Sequence, residues 1–120
     1  MENDDKKLGM LGEDLAVKYL LAHGYKILER NWRDGHKELD IITRLGEMTI
    51  FIEVKLRRDL SFSGEIGALH RDQIRTLRLA ILSYCFKHRI DLEKTRLDLI
   101  IVSPDFVKKV ARIKYFPGLY

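Results

Sequence analysis

The run Glu38-Leu39-Asp40-Ile41-Ile42-Thr43-Arg44-Leu45-Gly46-Glu47-Met48-Thr49-Ile50-Phe51-Ile52-Glu53-Val54-Lys55 decides the fold. Two stretches of strand formers flank Gly46-Glu47, and glycine in first place suits a two-residue type II′ turn. That turn sets the pairing: Leu45 faces Met48, Ile42 faces Phe51, Asp40 faces Glu53 and Glu38 faces Lys55. Directly opposed residues carry Cβ atoms about 4.5–5.5 Å apart, so two carboxylates are pressed together. One face of the hairpin holds these charges with Ile42 and Phe51. The other holds Leu39, Ile41, Ile50, Ile52 and Val54. Opposed carboxylates repel, and a cation between them removes the cost.

Upstream, Leu8, Leu11, Leu15, Ala16, Tyr19 and Leu20 recur at helical spacing, which predicts a helix over 8–22. Asn3, Asp4 and Asp5 supply capping oxygens within a flexible lead of residues 1–7, and His23-Gly24 is a stop signal. Residues 25–33 read as a strand ending at the Asp34-Gly35 turn, followed by strands over 38–43 and 48–56. The Ser- and Gly-bearing stretch 57–67 reads as a loop. A second helix over 68–88 has Ile74, Leu77, Ala80, Ile81, Tyr84 and Cys85 as its buried stripe. A strand over 95–102 comes next. Ser103-Pro104-Asp105 then resembles a helix start, a cap with Pro at the first helical position, leading through a short turn to a last strand over 111–116. The order αβββαβ implies an α/β (α+β) domain, a mixed central sheet flanked by helices.

At 120 residues the chain is long enough for one domain with a real core. The charged opening residues lead into no signal-peptide core and no apolar run reaches bilayer-spanning length, so we expect a cytoplasmic protein without a membrane partner. Cys85 is the only cysteine, which excludes an intrachain disulfide. The net charge of +4 favours polyanions. Basic residues gather around the hairpin and on the second helix. Taken singly, each reads better as solvated surface.

Asp40 and Glu53 are oxygen donors of the kind a hard cation such as Mg²⁺ prefers. Lys55, two residues past Glu53, projects from the same strand face. A carboxylate pair with a lysine is equipment for hydrolysing a phosphodiester. The same residues also suit a wet hairpin face, with Glu38 and Lys55 as a cross-strand ion pair and the two opposed carboxylates solvated. Ile42 and Phe51 on the charged face favour a covered cleft over that reading.

Asp40 followed by Glu53-Val54-Lys55 on the next strand resembles the PD-(D/E)xK signature of the restriction-endonuclease-like superfamily. The blocks Gly12-Glu13-Asp14-Leu15-Ala16, Gly24-Tyr25-Lys26-Ile27-Leu28, Asn31-Trp32-Arg33, Glu38-Leu39-Asp40-Ile41-Ile42 and Phe51-Ile52-Glu53-Val54-Lys55 are similar, in order and spacing, to the YraN-like bacterial family. Weaker similarity continues through Gly64, the second helix and Arg96-Leu97-Asp98. The resemblance implies a restriction-endonuclease-like core and a metal-dependent endonuclease. Asp40, Glu53 and the Val54 main-chain carbonyl would be ligands of Mg²⁺ (or Mn²⁺), and Lys55 would position the attacking water. Glu13, otherwise a solvent-facing helical glutamate, would stand beside the metal. DNA is the implied partner, branched or otherwise structured DNA included, with a homodimer a further expectation and no nucleotide cofactor. Arg33, Arg57, Arg58, Arg71, Gln73 and Arg75 are the candidate nucleic-acid contacts. Met10 and Gln73 depart from the family, which carries basic residues there; Gln73 hydrogen-bonds but brings no charge.

Other residues take structural readings. Asp98 is expected to pair with an arginine rather than a metal, Cys85 to pack as a small hydrophobe, and Trp32 to anchor the sheet. His23, His36, His70 and His88 lack metal-ligand spacing, and His88 suits a helix end. Tyr115, Phe116 and Tyr120 are expected to dock on the chain's own core. Two other functions fit the same residues: a nucleic-acid-binding module that does not cut, and an interaction protein whose basic surface is incidental.

Overall fold

The Gly46-Glu47 turn closes as the sequence predicts. Gly46 has φ 60° while Glu47 stays out of the left-handed region, and Leu45 pairs with Met48 and Ile42 with Phe51. A computed structural model describes residues 2–57, 71–105 and 107–120. In it, helix α1 (Glu2–Ala22) precedes strands β1 (Lys26–Asp34), β2 (Lys37–Leu45) and β3 (Met48–Leu56). Helix α2 (Arg71–His88), a short 3₁₀ turn (Leu92–Lys94), β4 (Thr95–Asp105) and β5 (Val110–Phe116) follow. The five strands form one mixed sheet in the order β1-β2-β3-β4-β5. Only β3 and β4 run parallel, and α2 lies in the connection such a pair requires.

The helices cover opposite faces. On the α2 side, Ile42, Phe51, Leu97, Leu99 and Ile101 pack under Leu77, Ala80, Ile81, Tyr84 and Cys85. On the α1 side, Ile41, Ile50, Ile52, Ile100 and Val102 pack under Ala16 and Leu20. Strand β4 is covered on both faces, which explains its unbroken apolar run Leu99-Ile100-Ile101-Val102. Trp32 and Phe51 set ring edges on Tyr84 at centroid distances of 5.3 and 5.7 Å, so Trp32 is the sheet anchor expected of it. Among the described residues no helix is long and apolar enough to cross a membrane.

Three expectations need correction. Helix α1 begins at Glu2 rather than at residue 8, so Asn3, Asp4 and Asp5 lie within it instead of capping it. No glycine or proline between Glu2 and Leu8 interrupts the helix. The Ser103-Pro104-Asp105 helix start is instead the end of β4, with Pro104 paired to Ala111. Val102 turns its carbonyl toward β3, where Arg57 donates to it at 2.9 Å. Pro104, two residues on, faces the same way, but β3 pairing ends at Leu56 and Val102. The missing N–H therefore has no neighbour to disappoint. The capping oxygen closes a turn instead: Asp105 Oδ1 accepts from the Val107 and Lys108 amides at 3.0 and 3.1 Å.

The third correction positions the site. Leu39, expected on the face of Ile41, lies in the α2-side core with Ile42, while Ile41 faces α1. Two residues separate Leu39 from Ile42, so strict alternation fails between them. Opposite this stretch Asn31 interrupts β1 with φ 53°. The β2–β3 ladder stops at Ile41 and Ile52. The second-helix start at residue 68 and the loop over 58–67 lie outside the described residues.

Candidate active site at the open end of the hairpin

Asp40 follows directly on the point where the β2–β3 ladder ends. Its Oδ2 accepts from the Val54 amide at 2.9 Å, a side-chain oxygen taking the place of a ladder carbonyl. This draws Asp40 against Glu53, and the two carboxyl groups interact directly. Burial first, then the side-chain hydrogen bond with Asp40 and the Asp40 charge, pushes Glu53 up to about 9; Lys55 works in the opposite direction. A half-buried carboxyl whose pKa is driven up by a neighbouring carboxylate marks a place where a second negative charge lacks compensation. Lys55 is half-buried on the same strand, two residues beyond.

Glu13 arrives from α1. Gly12 lets the helix come close to the end of β3, because a Cβ there would stand 3.1 Å from Leu56 Cδ1. The Glu13 side chain is only 17% exposed, and its Oε1 is buried without a hydrogen-bond partner. Burial and the Asp40 charge raise its pKa, against the lowering effects of Arg30 and Asn31. Arg30 sits 3.8 Å from Oε1 but spends its short contact, 2.7 Å, on Asp14. Asp40 is thus the carboxylate that both Glu13 and Glu53 feel.

These donors suit Mg²⁺ better than a metal that demands a protein cage. Among the described residues no three His, Cys, Asp or Glu side chains form a ready-made metal cluster. Mg²⁺ is ordinarily held by one or two carboxylates and keeps several waters. Asp40, Glu53 and the Val54 carbonyl could meet that demand, with the orphaned Glu13 oxygen as a further acceptor.

The remaining candidates scatter. Glu38 pairs with Arg33 at 3.3 Å, not with Lys55, because β1 holds that part of β2 after β3 has parted from it. Arg57 is exposed just past β3, with Nη1 on the Leu56 carbonyl at 2.8 Å. Gln73 does reach the site. With His36, Glu38, Glu53 and Thr76 it lines an open groove of about 330 Å³. Arg71 and Arg75 line a different depression, further round α2. Arg58 lies outside the described residues. Asp98 pairs with Arg96, as expected, through two bonds of 2.8 Å. Cys85 is buried, which pushes its thiol up, and His88 stacks on Tyr84 at the end of α2. Tyr115 and Phe116 turn into the chain's own cores.

Sequence reasoning missed Asn31 and His36. Asn31 touches the Glu13 carboxyl and holds the left-handed turn beside Asp40. An asparagine amid strand formers was the signal, since asparagine tolerates that conformation. His36 enters the groove as the second residue of the β1–β2 turn, where no spacing rule would single it out.

A family model described as "Uncharacterised protein family UPF0102" matches residues 12–102. That span runs from the glycine under Glu13 to the last β4 residue paired with β3. The UPF0102 protein of Dictyoglomus turgidum is 32% identical over 119 residues, covering 98% of this chain and 99% of that one. A UPF0102 protein of Bacteroides fragilis is 43% identical over 116 residues, covering 94% and 95%. That of Shewanella amazonensis is 38% identical over 97 residues, covering 81% and 89%. Matches of this extent place the chain in the UPF0102 family, the YraN-like proteins its sequence blocks resemble.

Proposed function

We propose that this protein is a metal-dependent endonuclease hydrolysing phosphodiester bonds of DNA, structured or branched DNA included. One observation carries the reading: two half-buried carboxylates, Asp40 and Glu53, meet with a single main-chain donor between them and a lysine two residues away. A structural role would give such a pair more donors. Asp40, Glu53 and the Val54 carbonyl would hold Mg²⁺ or Mn²⁺. A cation held there polarises the phosphate and lowers the pKa of a bound water. Lys55 orients the attacking water and offsets charge on the phosphate. Glu13 Oε1 accepts a hydrogen bond from a water on the α1 side, and Gln73 lines the groove without adding charge.

The test is cleavage of linear, flapped and four-way-junction DNA with Mg²⁺ or Mn²⁺. Wild-type protein should cut at least one of these, and Asp40→Ala and Lys55→Ala should each lose about 10³-fold or more. Cutting that survives both substitutions overturns the assignment. The placement of Arg71 and Arg75 away from Glu53 favours a second reading, a module that binds DNA without cutting it. That reading requires salt-sensitive binding with no turnover on any of the three substrates.

A further inference from the structure

We propose that the outer face of α2 is a docking groove for an acidic amphipathic helix of a partner protein. The inner face of α2 is already used: Leu77, Ala80, Ile81, Tyr84 and Cys85 are buried against the sheet. A second apolar stripe, Leu79, Leu82 and Phe86, runs along the outside at spacings of three and four. These residues are 52%, 45% and 88% exposed, and Leu92 beyond the helix is 47% exposed. A helix apolar on two sides normally has partners on both. Among the described residues nothing covers this one.

The stripe has shape as well as exposure. A trough of about 420 Å³ beside Ile74, Leu79 and Leu82 continues into one of about 580 Å³ floored by Cys85, Ile90 and Leu92. The two share Leu79 and Leu82 and so adjoin along the stripe. From Ile74 to Phe86 it runs about 18 Å at 1.5 Å per helical residue, the length of about three turns of a docked helix.

Charge selects the occupant. Arg71, Arg75 and Arg78 line one trough and Lys37 the other, and no described acidic residue lines either. A second copy of the chain fits poorly. A second copy would bring further basic residues and, among the described lining residues, no carboxylate to meet those arginines. Duplex DNA would satisfy the arginines but leave Leu79, Leu82 and Phe86 against phosphates. A helix with leucine or phenylalanine at i, i+3, i+4 and i+7 and glutamate or aspartate on its flanks satisfies both halves of the surface.

The probe is a fluorescein-labelled peptide of about 14 residues with leucines on one helical face and glutamates elsewhere. Its control has the same composition with the leucines spread around the helix. Fluorescence anisotropy with the full chain should show the amphipathic peptide binding about tenfold or more tighter than its control. Phe86→Ser and Leu82→Ser should each weaken it comparably, as should Arg75→Glu. Phe86 is exposed, so Phe86→Ser should melt at the wild-type temperature and report on docking alone. The proposal falls if the two peptides bind alike or if Phe86→Ser and Leu82→Ser bind the peptide as wild type does. It falls equally if the peptide fails to bind while single-stranded DNA, anionic phospholipid vesicles or self-association shows the Phe86 dependence.

Discussion

Asp98 on β4 and the Asp40–Glu53 pair on β2 and β3 are carboxylates built into one sheet and supplied very differently. Asp98 is fully buried. Arg96 grips both its oxygens at 2.8 Å, the Gly118 amide donates at 2.8 Å, and the Tyr115 hydroxyl donates as well. Burial first, and then the bond to Asp98, hold the Tyr115 hydroxyl protonated well above its ordinary range. Asp40 and Glu53 receive the Val54 amide and one another, with Glu13 Oε1 orphaned nearby. A charge neutralised by its own chain is architecture. Carboxylates left short of donors at the mouth of a groove are, on the function proposed above, where a cation from outside would bind.

The largest break of this contrast is Asp98→Ala. It strands Arg96 and Tyr115 and frees the C-terminal stretch, where Leu119 donates to Leu97 at 2.7 Å and Arg78 lies over the Tyr120 ring at 4.8 Å. Arg96 is about a third exposed, so the cost should be about 3 kcal/mol, at the low end for a broken buried pair. Urea unfolding should show it unchanged by Mg²⁺ relative to wild type. Next comes the cation itself. At a hundredfold excess over its Kd, Mg²⁺ should stabilise wild type by about 2.7 kcal/mol, raising the melting temperature. Asp40→Asn and Glu53→Gln should abolish the rise, and an equal rise in both variants would show that the cation binds elsewhere.

Without divalent cations, pH sharpens the same contrast. Glu53 stands at about 9 in the folded chain against an ordinary 4.5. As pH rises through that window the unfolded chain loses this proton first and the folded chain keeps it. The folded state then binds more protons, so stability falls with rising pH. Below the ordinary value both states are protonated and the effect vanishes. Urea midpoints in EDTA should decline between about pH 5 and pH 9, and Glu53→Gln should flatten the decline. Glu53 is half-buried, so the loss should be of order 1–3 kcal/mol.

How much of this could be read beforehand follows from what each feature depends on. The hairpin, both helices and the opposite-face cores follow from local period and turn chemistry, which Gly46 and the stripe on α2 display openly. The Asp40–Glu53 proximity was legible because a short turn propagates register along two strands. What escaped depended on a third element. Glu38 chose Arg33 over Lys55 because β1, not β3, accompanies that end of β2. Ser103-Pro104-Asp105 read as a helix start because its local chemistry is shared by a turn, and only the end of β3 makes the proline harmless there. Leu39 changed faces because Asp40 spends its side chain on a backbone amide, which no alternation rule anticipates.

The smallest expected effect tests what makes room for that exchange. Asn31 holds φ 53° beside Asp40 and touches Glu13. A non-glycine residue there pays roughly 1–2 kcal/mol in steric strain, which asparagine reduces through local hydrogen bonding. Asn31→Ala should therefore cost about 1 kcal/mol, and Asn31→Gly about 0.5 kcal/mol or less, because glycine accepts the conformation freely. The two variants separate backbone from side chain. If Asn31→Gly keeps both stability and the full Mg²⁺ protection, the residue serves only to bend β1. If it keeps stability but weakens the Mg²⁺ response, the amide orients Glu13, and the unsupplied end of the sheet has one positioning residue on a strand that carries none of its carboxylates.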